Sequence, residues 1–350
     1  MAVRLKASVA IAALALGLVM ASCSSTPTVT AQAAPPPPPP PKVDTLGPKI
    51  IEQASAYRFY IDRVGSISPV FEDGAAIARS LEIGSAYEPT QLLRGAISYG
   101  AIAALQDQAF VAGVRSYGSG AVQRRTMAYE IMRNPSYVLG LTGAGSAAGM
   151  VSEALGGEGQ RLYDNGKAVK QSAYDIQKQD WSKAPVVERE ARLIRAKTLS
   201  STSLVGELSQ TARLRQASVG TASLGLVASP TSPPFSPVVV RSLAVAALGL
   251  LGEATDANTD TLTAIMVEPN VGFCLNLAKL NLYQCLAVSR PHYEDVFCLG
   301  QHAMMDTGRC LIKASGRAEP YEAKFIPVVN AAHGYGAPKK PTRSRSAKKR

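Results

Sequence analysis

Apolar residues recur at three- and four-residue steps along much of the chain, beginning near residue 47. The first such series is Ile50, Ile51, Ala54, Tyr57, Ile61 and Val64. This spacing places the apolar side chains on one face of an α-helix, so it predicts a helix that packs against a core. No stretch of useful length alternates apolar and polar residues as a half-buried β-strand does. The pattern therefore predicts a mainly α protein.

The run 91–114 is apolar on nearly all sides, which is typical of a helix at the centre of a protein or inside a membrane. Asp107 lies in its middle. A bilayer-spanning helix would have to bury that carboxylate at a high cost in free energy. The run is therefore expected to form a central core helix.

A seven-residue repeat marks two later segments. The first contains Leu155, Leu162, Val169 and Ile176, with Gly159, Gly166 and Ala173 interleaved. The second follows Pro185 and contains Val187, Ile194 and Leu208, with Ala191, Val205 and Ala212 between them. Such repeats are typical of paired helices, and small residues let two helix backbones approach closely. We predict that the two segments form an antiparallel helical hairpin.

Prolines divide the body of the chain at 229–237, a segment that contains four of them. Neither a helix interior nor a central strand tolerates proline, so this segment is predicted to be a linker. Beyond it, 238–251 is apolar apart from Arg241 and is shorter than the roughly 20 residues that span a bilayer. The sequence predicts one helical domain at 47–228 and a second at 238–330.

The second predicted domain, 238–330, contains four cysteines: Cys274, Cys285, Cys298 and Cys310. The surrounding pattern predicts helices over 271–288 and 293–305, joined by a turn. In an antiparallel hairpin Cys274 faces Cys310 and Cys285 faces Cys298, because the position sums of the two pairs agree within one residue. Cys274 and Cys285 lie three turns apart on one helix, beyond the reach of a disulfide. The predicted fold is thus a multi-helix body with an antiparallel helical hairpin and a C-terminal disulfide-stapled helical hairpin.

This cysteine layout resembles the twin-cysteine helical hairpins of the eukaryotic coiled-coil-helix proteins. The resemblance covers 274–310 alone, and its intervals of ten, twelve and eleven residues differ from the nine usual in that family. It implies a structural role for both disulfides. A cysteine metal site is not expected, because no close C-x-x-C pair is present.

The first 22 residues have the pattern of a secretory signal peptide. Arg4 and Lys6 precede an uncharged apolar run at 7–20, and small residues follow it. The run is shorter than the roughly 20 apolar residues that cross a bilayer. It is therefore expected to be an export signal rather than a permanent membrane span.

Residues 19–23, Val-Met-Ala-Ser-Cys, resemble the bacterial lipobox, with Met20 where that motif most often has leucine. The resemblance implies cleavage before Cys23 and lipidation of that cysteine. Because Ser24 follows, it also implies sorting to the outer membrane, with the body facing the periplasm. The alternative is cleavage after Ala33, which would release a soluble periplasmic protein. In the lipoprotein interpretation, 23–46 forms a lipid anchor and a stiff stalk that contains seven consecutive prolines.

The formal net charge of +11 is concentrated at the two ends of the chain. The segment 331–350 contains no acidic residue, and its basic residues are Lys339, Lys340, Arg343, Arg345, Lys348, Lys349 and Arg350. Outside this tail and the signal peptide the chain is nearly neutral, so a nucleic-acid partner is not expected. A disordered basic tail favours contact with anionic peptidoglycan, lipopolysaccharide or other envelope proteins.

Candidate catalytic chemistry is sparse. His292 and His302, with Asp306 four residues after the second, could serve an envelope hydrolase. No G-x-S-x-G, H-E-x-x-H or P-loop motif is present. The glycine-rich segment 142–149 lacks the strand and the downstream acid of a dinucleotide-binding site. Neither catalytic residues nor a metal nor a cofactor is therefore predicted.

The expected function is that of a non-enzymatic cell-envelope lipoprotein, which serves as a scaffold or accessory subunit. Two alternatives remain open at this stage. One is an envelope hydrolase whose site lies near His292 and His302. The other is a periplasmic binder of small apolar ligands, which would occupy a cavity between helices.

Overall fold

The computed structural model describes residues 45–228 and 231–321, and helices make up 74% of these residues. These ranges contain fourteen α-helices and no strand, which confirms the predicted mainly α fold. The helices are α1 (Pro48–Gly65), α2 (Gly74–Ser85), α3 (Pro89–Ala104), α4 (Gln108–Tyr117), α5 (Ala121–Arg133), α6 (Ala144–Ile176), α7 (Asp180–Lys183), α8 (Arg189–Ser201), α9 (Leu208–Ser218), α10 (Pro237–Leu250), α11 (Thr259–Ile265), α12 (Pro269–Val288), α13 (His292–Cys298) and α14 (Thr307–Ala314). The predicted signal peptide, Cys23, the stalk through residue 44 and the basic tail lie outside the described residues.

Polar caps and prolines set where the buried helices begin. The run 91–114 was predicted to be one helix, but it divides into α3 and α4. The reason is Asp107, whose Oδ1 accepts a hydrogen bond of 2.7 Å from the backbone N–H of Phe110 and thereby caps α4. The carboxylate that argued against a membrane span is thus a helix cap.

The core is centred on α3 and α10, which are buried almost all round. The two helices lie so close that a Cβ on Gly100 would be 2.4 Å from the Oγ of Ser242. They come from opposite sides of the predicted linker at 229–237, and one hydrophobic cluster includes side chains from both sides. The described parts of the predicted domains 47–228 and 238–330 therefore share a single core.

The 33-residue helix α6 packs against a different neighbour from the one predicted. The segment 187–212 was expected to pair with 155–176, but α8 packs on α2 and α12, and α9 packs on α1. The antiparallel neighbour of α6 is instead the segment 292–314, which comprises α13, a π-helical stretch at Leu299–Asp306, and α14. The glycines of the repeat do allow the close approach that was predicted for them, but they make it with this segment.

Gly157 and Gly159 provide a matched test of this packing. A Cβ at Gly159 would lie 2.8 Å from the backbone N of Ile312 and 2.9 Å from the carbonyl oxygen of Gly308. Gly159→Ala should therefore force the helices apart and lower the free energy of unfolding by about 1–3 kcal/mol. A Cβ at Gly157 would meet nothing closer than 3.5 Å. Gly157→Ala should raise the free energy of unfolding by up to about 1 kcal/mol, because alanine favours the helix.

Urea unfolding of the two variants measures both changes on the same helix. Opposite signs are expected. A loss at both positions, or a gain at both, would contradict the close antiparallel packing of α6 on 292–314.

Two disulfides join α12 to the segment 292–314. Cys274 pairs with Cys310 at a Cα–Cα distance of 5.7 Å, and Cys285 pairs with Cys298 at 5.6 Å. These are the nested pairs expected for an antiparallel hairpin. The first helix begins at residue 269 and the second extends to residue 314, so both are longer than the cysteine-bearing helices predicted from the sequence.

Helix α8 is attached to the turn of this hairpin by two arginines. Arg189 donates hydrogen bonds to the carbonyl oxygens of Ser289, at 2.7 Å, and Ala287, at 2.9 Å. Arg192 forms an ion pair with Asp295, which is 2% exposed and also accepts a hydrogen bond of 2.8 Å from the hydroxyl of Ser289. Burial raises the pKa of Asp295, and Arg192 opposes that shift. Arg192 and the hydroxyl of Ser289 therefore both favour the charged form of this carboxylate.

Candidate docking surface

One face of α12 is exposed although most of its side chains are apolar. Its members are Phe273, Asn276, Leu277, Leu280, Gln284, Ala287 and Val288, which we call the α12 face. Phe273 is 69% exposed, Leu280 is 50% exposed and Val288 is 75% exposed. Single exposed apolar side chains are ordinary, but a continuous row of them marks a surface that another molecule covers.

The α12 face exists because this helix is apolar on its buried side and on its exposed side alike. The side chains of Val271, Leu275, Ala278, Leu282 and Leu286 pack inward. A helix at a protein surface normally carries charged or polar residues on its outer side. Within the described residues, α12 is the one helix long and apolar enough to cross a membrane by length and composition. Here two disulfides hold it against the helical body instead.

Lys279 is the one charged residue of α12, and it points inward. Its Nζ donates a hydrogen bond of 2.7 Å to the carbonyl oxygen of Ser85 at the end of α2 and lies 3.4 Å from the ring centroid of Tyr87. Burial lowers the pKa of Lys279, and the carboxylate of Glu88 offsets part of that shift. The lysine thus joins α12 to α2 and leaves the α12 face without a charge.

An aromatic groove adjoins the C-terminal end of the α12 face. It is a cavity of about 400 Å³ lined by Ala173, Tyr174, Gln177, Cys285, Val288, Ser289, Tyr293, Glu294, Phe297 and Cys298. The rings of Tyr174 and Phe297 meet edge to face at 6.2 Å. The Nζ of Lys170 lies 5.5 Å from the Phe297 centroid. Val288 belongs to both features, so the groove and the α12 face form one continuous surface.

A second, polar cleft of about 580 Å³ lies where α1, α6 and α9 meet the loop 224–228. Arg58 forms ion pairs there with Glu158 and Asp62, and Arg161 also pairs with Glu158. Burial disfavours the charged form of Arg58, but Glu158 together with Tyr99, Asp62 and Tyr57 more than offsets this effect, so the pKa of Arg58 lies above its usual value. These charges mainly neutralise one another, and their clearest role is to hold α1 against α6.

The hydroxyl of Tyr57 is buried beside this cleft and has no hydrogen-bond partner among the described residues. Burial raises its pKa, and the negative charge of Glu158 adds to the shift. Tyr57 therefore stays protonated and does not act as a base at neutral pH.

The two candidate catalytic histidines are not brought together. They lie ten positions apart along one helical segment, or about 15 Å along its axis. The ring of His292 lies 6.4 Å from that of Trp181, and the Nδ1 of His302 lies 2.8 Å from a carboxylate oxygen of Asp306. Neither histidine lines the aromatic groove or the polar cleft. In the described ranges, no group of three or more His, Cys, Asp or Glu side chains is placed to hold a metal ion.

The glycine-rich segment 142–149 forms the start of α6. Gly143 has a φ of +82° and immediately precedes the helix, and a Cβ there would lie 2.3 Å from the backbone N of Phe110. A 3₁₀ turn at Pro135–Gly140 precedes it, where a dinucleotide-binding site would have a strand. The glycine is required for a tight turn against α4.

Comparison with known proteins identifies no relative of the chain. No protein-family model, no curated protein and no solved structure matches the chain. The continuous surface made by the α12 face and the aromatic groove is therefore the feature on which a function can be argued. The hydrophobic periodicity does not reveal this surface, although the sequence contains one signal of it: a stretch of 20 residues in which Lys279 is the only charge.

Proposed function

We propose that this protein is a non-enzymatic cell-envelope lipoprotein, tethered through Cys23, which acts as a scaffold or accessory subunit and docks its partner on the α12 face. The observation that carries this proposal is the exposed, uncharged, apolar row on α12. Burial of apolar surface supplies the main driving force of protein association, and a few well-packed residues near the centre of an interface contribute most of the binding energy.

The disulfides support the envelope part of the proposal. Disulfides persist in oxidising compartments such as the periplasm and are rare in reducing ones. The charged start, the apolar run and the lipobox-like residues before Cys23 resemble those of exported lipoproteins. The basic tail supplies a further contact, with anionic components of the envelope.

A charged residue within the α12 face tests the docking role. Leu277→Glu places a carboxylate at an exposed position of α12, and burying it against a partner would cost several kcal/mol, of the order found for unpaired buried charges. In detergent-solubilised envelopes the wild-type chain is expected to migrate in a native separation as a complex larger than the monomer. Leu277→Glu should migrate as the monomer while keeping both disulfides.

Tyr129→Glu is the matched control, because Tyr129 is also an exposed apolar residue but lies on α5. It should migrate as the wild type does. A wild-type chain that migrates as a monomer, or a Leu277→Glu chain that stays in the complex, would reject α12 as the docking surface.

The mass of the intact wild-type protein, extracted from envelopes, tests the tether separately. A diacylglycerol and an additional acyl group on Cys23 are expected, together with two added hydrogens for each disulfide on reduction. An unmodified mature chain in the soluble periplasmic fraction would support cleavage after Ala33 instead.

A further inference from the structure

We propose that the α12 face is covered by a second copy of this chain, in an antiparallel pair of α12 helices where Phe273 of each copy enters the aromatic groove of the other. This inference rests on the proposed docking role of α12 and names the partner. It makes the protein a two-fold symmetric dimer, in which each copy completes the groove of the other.

The spacing along the α12 face is that of a helix-to-helix interface. Phe273, Leu277, Leu280, Gln284 and Ala287 follow one another at steps of four, three, four and three residues. This alternation is the pattern of the core positions of a coiled coil, in which one helix packs along a single neighbouring helix. The partner that fits a row one helix wide is another α-helix.

The two ends of the α12 face complement each other. The exposed ring of Phe273 lies near the N-terminal end, and the aromatic groove lies beside Val288 at the C-terminal end. The separation of 15 positions corresponds to about 22 Å along the helix. An antiparallel pair with its axis between Leu280 and Asn281 puts Phe273 of each copy opposite Val288 of the other. A two-fold interface requires this arrangement, because each patch must contain both a feature and its complement.

The charges also fit a second copy. In a two-fold pair the residues beside the axis meet their own copies, so a charge there would be repelled, and the α12 face has none because Lys279 is buried. A helix that lies on a membrane normally carries lysine and arginine along its polar side to meet anionic lipid headgroups. The exposed positions of α12 include no such residue. The observations therefore favour a protein partner over a lipid surface.

Photo-cross-linking from Phe273 tests the arrangement in the native envelope. The full chain, with a benzophenone amino acid in place of Phe273, is irradiated in intact envelopes and the products are analysed by mass spectrometry. The expected product has twice the mass of the chain, and the cross-link joins position 273 to the peptide that spans 285–298. The same benzophenone at Tyr129, which is equally aromatic and exposed on α5, should give no such product.

The other products have distinct meanings. An adduct with a different protein would overturn the second copy as partner but would leave the docking role of α12 standing. An adduct with phospholipid, or no adduct at all, would overturn both. A cross-linked dimer in which position 273 of one copy is joined to position 273 of the other would indicate a parallel pair and would overturn the antiparallel arrangement.

A charge exchange at Leu280 tests the pairing without relying on a single variant that might misfold. Leu280 lies next to the proposed two-fold axis, so Leu280→Glu copies should repel one another, and Leu280→Lys copies should do the same. A mixture of the two variants should recover the dimer in sedimentation of the detergent-solubilised chains. Phe273→Ala, which removes the side chain that enters the groove, should weaken dimerisation by about 30-fold or more. A mixture that stays monomeric would overturn the proposal.

Discussion

Replacing Arg192 with leucine should lower the free energy of unfolding by about 3–5 kcal/mol, the cost of leaving a buried charge without its partner. Arg192 is the counterion of Asp295, and both side chains are less than one-tenth exposed. The same substitution also removes the hydrogen bond that Arg192 donates to the carbonyl oxygen of Leu286 at the end of α12. Urea unfolding under oxidising conditions, with both disulfides intact, measures the loss.

Arg195→Leu is the control for this prediction. Arg195 lies one turn further along α8 and forms an ion pair with Glu82, but its side chain is 67% exposed. Exposed ion pairs contribute little, so this variant should lose less than about 1 kcal/mol. Equal losses from the two variants would mean that the buried pair contributes no more than the exposed one.

The pH dependence gives a second signature of the Arg192–Asp295 pair. Burial raises the pKa of Asp295 above its ordinary value of 3.8, and Arg192 limits the rise. Without Arg192 the pKa should rise further, so the folded variant takes up a proton at a higher pH than the unfolded chain does. Its free energy of unfolding should therefore increase as the pH falls from neutral towards that ordinary value, relative to the wild type. The loss is expected to be largest at neutral pH and to shrink in acid.

The sequence was sufficient to predict the disulfide-linked hairpin and insufficient to predict the neighbour of α6. Cysteine positions specify a pairing, because a disulfide requires two Cα atoms within a narrow distance. A seven-residue repeat specifies only which face of a helix is buried. Gly159 and Gly166 were identified as positions of close approach, yet nothing in their spacing distinguishes 187–212 from 292–314 as the segment that approaches them.

The exposed apolar face of α12 could not be predicted from the sequence for a related reason. In α12 the residues of both sides are apolar, so periodicity cannot tell Leu282, which is buried, from Leu280, which is exposed. The side that faces outward is decided by the disulfides, which turn Cys274 and Cys285 towards the segment 292–314, and by Lys279, which turns towards α2. These tertiary contacts fix the orientation of α12, and the side of the helix that makes none of them is exposed.

Removal of the disulfides should have the other large effect on stability. A disulfide restricts the unfolded chain in proportion to the logarithm of the loop that it closes, and the outer bridge spans 36 positions whereas the inner one spans 13. The paired substitution of Cys274 and Cys310 by alanine should therefore cost about 4 kcal/mol, and that of Cys285 and Cys298 about 3 kcal/mol. The two losses are not independent, because the inner loop lies within the outer one.

The order of the two losses is the informative result, and urea unfolding of the two double variants measures it. Together the bridges contribute an amount comparable with the whole stability of many domains, about 5–15 kcal/mol. A variant in which all four cysteines are replaced by alanine should therefore be marginally folded at best. Reductant should destabilise the wild type to a similar degree and leave the stability of that variant unchanged. A larger loss from the inner pair would show that the bridges act mainly through contacts in the folded hairpin, and not through restriction of the unfolded chain. In either case α12 depends on the bridges to hold its apolar face at the surface, so dimerisation should be lost with them.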